Sequence, residues 1–424
     1  MDSFVSLLTK FIIFFGLYLT IFWILVMLND DSRRPRKQEK HPDVTILIPA
    51  YNEEKGVERT IRSVMELKYN GKIEVIVIND NSSDRTLEIA KKYKDKIRII
   101  DLKKRSGKAR ALNIALKEVK TEFVAILDAD STITKSSLEN GMSHFFSIDD
   151  PKKIGAVVSK LLPENTTGTM LERIQHLEYM MVGLIRHLTS SLRLLDMTVG
   201  VLSIYRTKVI VDLKGFDENN LTEDFELGVR IRKSGYYVIF AKDALVYTKI
   251  PSSFHLLLKQ RIRWARGFIQ THIKHRDVFF RKKYGFYGFY QFPMDIIAPL
   301  IFFAAIFTIS YHIYKSLYEF FFKLIVTPAV ISWFDFGTLQ QFFLGMEIKT
   351  TLLLSFNLLL FLYLIYSFIQ FYNNDYFRNF RKNKFRQITA LVLYILVFNY
   401  IYLYIWITSL LREIFRAKFS WGTK

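Results

Sequence analysis

The chain has 424 residues, a formal net charge of +20 and no cysteine, and half of its residues are hydrophobic. The absence of cysteine excludes disulfides, thiol nucleophiles and cysteine-ligated zinc or iron–sulfur sites. The basic excess fits either nucleic-acid binding or a membrane protein whose Lys and Arg residues face the cytoplasm and anionic lipid headgroups. Because the hydrophobic residues are concentrated towards the two ends of the chain, we expect a lipid bilayer and no nucleic acid as partner.

The first predicted element is a transmembrane anchor within residues 1–30. No charged residue lies between Lys10 and Asp30, and about 20 apolar residues are enough to span the hydrocarbon core. A cleaved signal peptide is the competing interpretation, but this apolar stretch is longer than such peptides have and no small-residue cleavage site follows it. Basic residues are concentrated over 33–37, so the positive-inside rule places the following domain in the cytoplasm.

Residues 31–250 are predicted to form an α/β catalytic domain. Short β-branched stretches alternate with amphipathic helical patterns, which indicates a parallel, doubly wound sheet. In such a sheet ligands bind at the carboxyl edge of the strands. Asp80 and the segment 128–130 each follow a predicted strand, so a nucleotide is expected at this edge. The strands are predicted at 44–48, 74–78, 97–102 and 123–127, and two of the helices at 55–67 and 84–92.

Residues 251–292 are predicted to form interfacial amphipathic helices. The helix expected over 254–273 carries Gln260, Arg263 and Trp264 in a basic, aromatic setting. Arg offers a bidentate fork to phosphate, and Trp offers a flat face to a sugar or a cation. The alternative is a helix whose arginines meet lipid headgroups, and one helix can have both roles.

Residues 293–412 are predicted to contain three or four further transmembrane helices, followed by a basic tail over 413–424. A fourth apolar stretch, 324–334, has about half the length of a span, and 335–349 has the pattern of an interfacial helix. Charge counting does not separate three spans from four, because each count places one basic cluster outside the cytoplasm. The three clear candidates, which lack Asp, Glu, Lys and Arg, lie at 296–314, 350–372 and 387–411.

Asp128 and Asp130 lie on one loop after a strand that is expected to be buried. Two carboxylates suit a hard divalent cation that keeps waters and shares a substrate pyrophosphate, and oxygen ligands accept either Mg²⁺ or Mn²⁺. Such an ion neutralises charge on a departing nucleoside diphosphate. The alternative is a pair of solvated turn acids that cap the following helix.

Glu223 and Asp224 follow Thr222 in a second acidic motif. Asp224 is the candidate general base that takes a proton from an acceptor hydroxyl, a role worth roughly 10²- to 10⁴-fold in rate. The alternative is a helix start with Thr222 as N-cap and two acids in the first turn.

The segment 105–113 places Gly107 before Lys108. A glycine at a helix start followed by lysine suits the approach of a phosphate, whereas a basic surface turn is the equally good alternative. The sequence has no P-loop pattern, no His pair with zinc-ligand spacing and no G-x-S-x-G motif, so an ATPase, a zinc enzyme or a serine hydrolase has no support.

Taken together and in this order, the motifs resemble those of glycosyltransferase family 2, in particular its membrane synthases of cellulose, chitin, hyaluronan and poly-N-acetylglucosamine. The resemblance covers nearly the whole chain. It implies a GT-A-type, Rossmann-like α/β catalytic domain inserted between transmembrane helices, and inverting transfer by a single displacement. The motifs are Pro49-Ala50-Tyr51-Asn52-Glu53-Glu54, Asn79-Asp80-Asn81-Ser82-Ser83-Asp84, Gly107-Lys108 with Ala111-Leu112-Asn113, Asp128-Ala129-Asp130, Thr222-Glu223-Asp224 and Gln260-x-x-Arg263-Trp264.

The same resemblance implies how a nucleotide sugar is bound. Asp80 would bind the uracil or the ribose, and Tyr51 and Glu53 would line the base pocket. Lys108 would lie close to the nucleotide. Asp128 and Asp130 would hold the ribose and the metal-bound diphosphate.

The resemblance also implies the catalytic residues. Asp224, preceded by Glu223, matches the family's catalytic base. Gln260, Arg263 and Trp264 match the motif that contacts the donor pyrophosphate and the acceptor sugar. The segment 198–202 departs from the small-residue acceptor loop of relatives, which leaves the acceptor open.

These observations lead to a multi-pass enzyme of the plasma membrane with a cytoplasmic catalytic domain. The leading hypothesis is a processive polysaccharide synthase that uses UDP-N-acetylglucosamine or UDP-glucose and exports a β-linked polymer. One alternative is the transfer of a single sugar to a lipid carrier or glycolipid. Another, of a different class, is a non-catalytic membrane channel or scaffold.

Overall fold

The computed structural model describes residues 2–29, 41–146, 150–165, 169–326 and 384–416. Backbone contacts divide the chain into two units, and each is described by itself. The smaller unit contains residues 1–30 and 292–382, and the larger unit contains residues 31–291 and 383–424. The larger unit therefore takes its residues from two separate parts of the sequence.

Within the described ranges, eight strands form one sheet in the larger unit. They are β1 (Val44–Ala50), β2 (Ile73–Asn79), β3 (Arg98–Asp101), β4 (Phe123–Leu127), β5 (Ser131–Ile133), β6 (Ile154–Pro163), β7 (Val201–Arg206) and β8 (Tyr237–Thr248). Their order across the sheet is β3-β2-β1-β4-β7-β6-β8-β5. All four strands predicted from the sequence are present, with boundaries that differ by at most a few residues.

The sheet is mixed, which corrects the expectation of a parallel sheet. The strands β1 to β4 pair in parallel, as predicted. The strand β7 is antiparallel to both of its neighbours, β4 and β6, and β5 is antiparallel to β8. The alternation of strands and helices that indicated a parallel sheet covers only the first four strands, so it carried no information about the direction of β7.

The helices of the described ranges are α1 (Asp2–Leu28), α2 (Val57–Met65), α3 (Thr86–Lys91), α4 (Lys108–Leu116), α5 (Ser137–Ser143), α6 (Met170–Ser191), α7 (Thr207–Asp212), α8 (Glu223–Lys233), α9 (Phe254–Lys274), α10 (Phe292–Val326), α11 (Lys384–Leu393) and α12 (Asn399–Ile414). Side chains of α2, α3 and α5 pack on one face of the sheet, and those of α4, α7 and α8 pack on the other. Because both faces are covered, the central strands β1 and β4 are buried along nearly their whole length. All five residues of β4 are buried.

The parallel strands end at one edge of the sheet, and this arrangement brings the predicted site residues to that edge. Tyr51 follows β1, Asp80 follows β2 and Asp128 follows β4. The backbone N–H of Asp80 donates to the carbonyl of Ala50 at 2.9 Å, which joins the ends of two neighbouring strands.

Three helices of the larger unit, α6, α9 and α12, lie against one another beyond the sheet. The helix α6 starts with a capping box, in which Thr169 accepts a hydrogen bond from the backbone of Glu172 and the Glu172 side chain accepts one from Thr169. The apolar contact between α9 and α12 is made by Ile262, Ala265 and Ile405. A π-helical turn over Tyr394–Phe398 joins α11 to α12.

The smaller unit contains α1 and α10, which contact each other. Thr9 Oγ1 of α1 lies 3.4 Å from His312 Nε2 of α10. Three described stretches are long and apolar enough to cross a membrane, namely Ser3–Leu28, Tyr287–Glu319 and Ile388–Ile414. The predicted segments 335–349 and 350–372, and 324–334 beyond residue 326, lie outside the described residues, so the number of spans stays a prediction.

Candidate active site

A cavity of about 590 Å³ lies in the larger unit, where the loop after β4 meets α4, α6, α8, α9 and α12. Eight of the residues singled out from the sequence contribute to its lining, together with Thr222. The sequence placed these residues in four separate motifs, and the fold brings all four to one cavity. The lining residues from these motifs are Lys108, Asp128, Asp130, Thr222, Glu223, Asp224, Gln260, Arg263 and Trp264.

Lys108 and Asp128 form the ion pair at the centre of the cavity. Lys108 Nζ lies 2.5 Å from Asp128 Oδ1 and 3.5 Å from Glu223 Oε1. Burial raises the pKa of Asp128 to about 6, although Lys108 acts in the opposite direction. Burial alone would lower the pKa of Lys108, but the carboxylates of Asp128, Glu223 and Asp224 outweigh it and raise that pKa. Lys108 is therefore a cation held among carboxylates.

The local backbone explains how Lys108 reaches this position. It is the first residue of α4, and Gly107 before it has φ +87°, a conformation that side chains with a Cβ rarely adopt. Asp80 fixes the preceding turn, because its carboxylate accepts hydrogen bonds from Ser106 N at 2.7 Å, Ser106 Oγ at 2.8 Å and Gly107 N at 2.8 Å. The alternative of a basic surface turn is wrong for Lys108, which lines the cavity.

Glu223 and Asp224 form the first turn of α8. The helix-start interpretation is thus confirmed, but the Thr222 side chain makes no capping bond and instead donates to Asn220 Oδ1 at 3.2 Å. Both carboxylates lie at the N-terminal, positive end of the helix dipole. Burial raises the pKa of Glu223, and Lys108 opposes this shift. The two interpretations of this motif, a helix start and a catalytic carboxylate, are compatible, because the first turn of α8 also lines the cavity.

The backbone around Asp224 is held by short hydrogen bonds. Thr198 Oγ1 donates to the carbonyl oxygen of Asp224 at 2.6 Å. The N–H of Phe225 donates to Asp224 Oδ1 at 2.8 Å. The main chain at this position is therefore fixed from a neighbouring loop, which suits a group that has to present a carboxylate in one orientation.

Asp128 and Asp130 fit a divalent cation that is shared with a substrate. The loop leads into the strand β5 and not into a helix, so the interpretation of these acids as helix caps is wrong. No group of three or more His, Cys, Asp or Glu side chains within the described ranges could cage a metal. Two carboxylates that face a cavity match the way Mg²⁺ is held by one or two carboxylates together with waters and phosphate oxygens.

The residues predicted to form the base pocket lie at the same sheet edge but outside the cavity lining. The Arg105 guanidinium covers the ring of Tyr51, with 4.1 Å between Cζ and the ring centroid. The backbone N–H of Glu53 donates to Thr86 Oγ1 at 2.8 Å, which ties the loop after β1 to the start of α3. Asp80 is only 4% exposed. Their roles in binding a base stay predictions.

Gln260, Arg263 and Trp264 lie on one helix, α9, and all line the cavity. Arg263 Nη1 donates to the carbonyl of Leu221 at 3.2 Å. Gln260 Oε1 is buried and has no hydrogen-bond partner within the described part of the chain. An amide oxygen in this state can accept a hydrogen bond from a ligand hydroxyl in the cavity.

A buried polar network beside Trp264 was not predicted from the sequence. Arg261 Nη2 lies 2.8 Å from Glu178 Oε2, and Tyr402 donates to the other oxygen of Glu178. The Arg261 guanidinium also covers the Trp264 ring, with 4.1 Å between Cζ and the ring centroid. Burial opposes the charge of Arg261, but Glu178 outweighs it and raises the pKa of Arg261. Glu178 stands among apolar residues of α6, and this was the one feature of the sequence that could have indicated the network.

Comparison with known proteins agrees with this arrangement. The family model described as "Glycosyltransferase like family 2" matches residues 41–267, more than half of the chain. Poly-beta-1,6-N-acetyl-D-glucosamine synthase of Staphylococcus aureus (strain COL) is 30% identical over 271 residues, which cover 61% of this chain and 65% of that protein. The protein of the same name from Staphylococcus epidermidis is 30% identical over 274 residues, with the same two shares. The match thus spans slightly less than two thirds of these relatives.

One solved structure shares the fold over most of the chain. It is the mannosyltransferase PcManGT from Pyrobaculum calidifontis in complex with GDP-Man and Mn²⁺. The superposition has a TM-score of 0.58 at 20% sequence identity and covers 93% of this chain and 99% of that chain. At this identity the likeness establishes the fold alone.

Proposed function

The chain belongs to glycosyltransferase family 2, and from that premise we propose that it is a membrane-embedded, inverting transferase that uses a UDP-sugar. The observation that carries the proposal is the cavity in which Lys108, Asp128 and Asp224 lie together with Arg263 and Trp264 of α9. The cavity thereby combines cations that can bind a diphosphate, a carboxylate that can accept a proton and an aromatic ring that can stack on a sugar.

The donor that we propose first is UDP-N-acetylglucosamine, with UDP-glucose second. The two Staphylococcus relatives, named for a polymer of N-acetylglucosamine, support this order. Lys108 and Arg263 are far apart in the sequence, and both line the cavity. Two cations suit a diphosphate, because each offers charge-assisted hydrogen bonds to phosphate oxygens.

In the proposed reaction Asp224 accepts the proton of an acceptor hydroxyl while that oxygen attacks the anomeric carbon. The new glycosidic bond forms as the bond from the anomeric carbon to the donor phosphate oxygen breaks, and the configuration inverts. The proton ends on Asp224, and the electron pair of the broken bond leaves with UDP. Lys108 and Arg263 balance the charge of the leaving group.

Asp128 and Asp130 are the residues that would hold Mg²⁺ or Mn²⁺. The ion, when bound, would neutralise charge on the diphosphate. Asp128 also pairs with Lys108 at 2.5 Å, so the metal ion, when bound, would share this carboxylate with the lysine. The lysine thereby stays close to the position where the diphosphate has to bind.

We propose that the product is a β-linked polysaccharide made by repeated transfer. Tyr402, Ile405 and Trp406 of α12 line the same cavity as the carboxylates, and they belong to a stretch that is long and apolar enough to cross a membrane. A wall of this kind, together with Trp264, offers aromatic faces to successive sugar rings. Transfer of one sugar to a lipid acceptor is the second candidate, because the same apolar wall could receive a lipid.

The experiment uses the full-length protein in detergent, offered UDP-N-acetylglucosamine, UDP-glucose or GDP-mannose with Mn²⁺. We expect UDP release from one UDP-sugar, a loss of roughly 10²- to 10⁴-fold in Asp224→Asn, and an elongated product. The control is Asp212→Asn, because Asp212 is an exposed aspartate on α7. A singly glycosylated lipid without polymer would favour the second candidate. UDP release that is unchanged in Asp224→Asn would overturn the assignment of the base.

A further inference from the structure

The motif that contains Asp224 is held on both sides by α9. On its N-terminal side, the Leu221 N–H donates to Gln270 Oε1 at 3.3 Å, and the Leu221 carbonyl accepts from Arg263. On its C-terminal side, the ring of Phe225 stacks in parallel on Phe268, with 5.6 Å between the ring centroids. The carboxylate therefore lies between two points of attachment to one helix.

Both attachments continue to the last described helix, α12. Gln270 Nε2 donates to both carboxylate oxygens of Glu413 at 3.1 Å, and Arg266 Nε donates to one of them. Phe268 packs edge to face against Trp406, with 5.3 Å between the ring centroids. A polar connection and an aromatic connection thus run from α12 through α9 to the two ends of the motif.

The contact between α9 and the motif leaves no room for adjustment. Gly267 faces Thr222 so closely that a Cβ at position 267 would lie 2.8 Å from the Thr222 Cβ. Asn220 Nδ2 donates to Thr271 Oγ1 at 3.0 Å, and Asn220 Oδ1 accepts from the Thr222 N–H at 2.8 Å. A displacement of α9 would therefore be transmitted to the motif.

Glu413 determines which way the amide of Gln270 points. An ionised carboxylate only accepts hydrogen bonds, so the amide nitrogen of Gln270 has to face Glu413. Its oxygen is then left for the Leu221 N–H, as observed at 3.3 Å. A neutral amide at position 413 could donate as well as accept, and the Gln270 amide would no longer be held in one orientation.

We propose that Gln270 on α9 and Glu413 on α12 are positioning residues. Together they determine where the Asp224 carboxylate lies. The inference rests on the proposed function, in which Asp224 is the general base. Neither residue lines the cavity, so both act through the backbone of the motif. Positioning of this kind matters because a small displacement of a catalytic group can cost roughly 10²-fold in rate.

The experiment measures kcat and UDP binding for the full-length protein with Gln270→Leu and with Glu413→Gln. We expect kcat to fall roughly 10- to 100-fold while the Kd for UDP stays within a factor of two. The combined variant Gln270→Glu with Glu413→Gln exchanges the amide and the carboxylate, which returns an acceptor to the Leu221 N–H. It should recover most of the lost kcat. The control is Arg412→Gln, since Arg412 is the exposed neighbour of Glu413 on α12.

Combination with Asp224→Asn separates a positioning role from a merely structural one. If Gln270 acts through Asp224, Gln270→Leu should cause no further loss of kcat in the Asp224→Asn background. A full additional loss there, or an unchanged kcat in both single variants, would overturn the inference. If Gln270→Leu fails to bind UDP, the isosteric Glu413→Gln variant alone decides. Unchanged turnover in Asp224→Asn would instead contradict the proposed function.

Discussion

Gly200 lies directly against the ammonium group of Lys108, and a Cβ at position 200 would overlap with Nζ. The same Cβ would lie 3.1 and 3.3 Å from the two carboxylate oxygens of Asp128. The present position of the Lys108 ammonium group beside Asp128 therefore depends on the absence of a side chain at position 200.

Gly200→Ala is expected to weaken donor binding. The methyl group would push the Lys108 ammonium away from Asp128, and the diphosphate would lose a cation, so we expect the Kd for UDP to rise about tenfold, which corresponds to about 1.4 kcal/mol. Because Nζ ends a flexible side chain, the melting temperature should change little. Titration of UDP into the purified protein measures the effect. Gly16→Ala is the matched control, since nothing lies within 4 Å of its Cβ position, and an unchanged Kd in Gly200→Ala would contradict the prediction.

Removal of divalent metal is expected to stop UDP release. EDTA should abolish turnover, and added Mn²⁺ or Mg²⁺ should restore it. The ion would be held by only two protein carboxylates, Asp128 and Asp130, so a chelator can remove it. Without the ion, the charge on the departing diphosphate would not be neutralised. Asp130→Asn should raise the Mn²⁺ concentration for half-maximal activity by roughly 10- to 100-fold, the range found even for partners of metal ligands. Full activity in EDTA would exclude the metal site.

The ion pair of Arg261 with Glu178 is expected to matter for stability. Arg261 is 3% exposed and Glu178 is 6% exposed, and removal of one member of a buried pair typically costs about 3–5 kcal/mol. Arg261→Met should therefore lower the melting temperature strongly. The double variant Arg261→Met with Glu178→Leu should recover part of the loss, because it leaves no buried charge. A double variant that melts below both single variants would contradict the prediction, because the losses would then not come from an unpaired buried charge.

Stability at acid pH is expected to depend on Glu226. Burial alone would raise the pKa of Glu226, but a hydrogen bond from His275 and the charges of Arg230 and Lys274 lower it from 4.5 to about 2. A carboxyl group whose pKa is lower in the folded state stabilises the fold above its unfolded pKa. We therefore expect about 3 kcal/mol to be present above pH 4.5 and lost as the pH falls towards 2.

Glu226→Gln tests this dependence. The melting temperature of the unmodified protein should fall between pH 4.5 and pH 2, and the variant should lose much of that slope while melting at a lower temperature near pH 7. Glu66→Gln is the control, because Glu66 is 62% exposed. An equal slope in all three proteins would show that another group carries the acid sensitivity.

Much of the catalytic part of the fold could be predicted from local patterns. The stretches that became β1, β2 and β4 are mostly apolar because the sheet is covered on both faces, and this property is visible in a short window of sequence. The polar residues that end them were placed at one edge by the rule for parallel strands. The family followed from several weak motifs in a fixed order, and the match over residues 41–267 confirms it.

The parts that were missed depend on contacts between distant segments. Arg261 belongs to a motif that suggested phosphate or lipid headgroups, but the structure buries it against Glu178, 83 positions earlier in the chain. Tyr402 completes the network from 224 positions beyond Glu178. Periodicity reports that a residue is buried or exposed, and it does not name the partner. The antiparallel direction of β7 was missed for the same reason.

The larger unit draws on two stretches of the sequence, residues 31–291 and 383–424. A fragment that stopped at residue 291 would keep every motif noted in the sequence. It would lose the hydrogen bond of Tyr402 to Glu178 and those of Arg266 and Gln270 to Glu413. The catalytic part of this enzyme is therefore a pair of pieces. The last helix has to be joined to the first piece by a linker, or expressed alongside it, before the catalytic part can be handled alone.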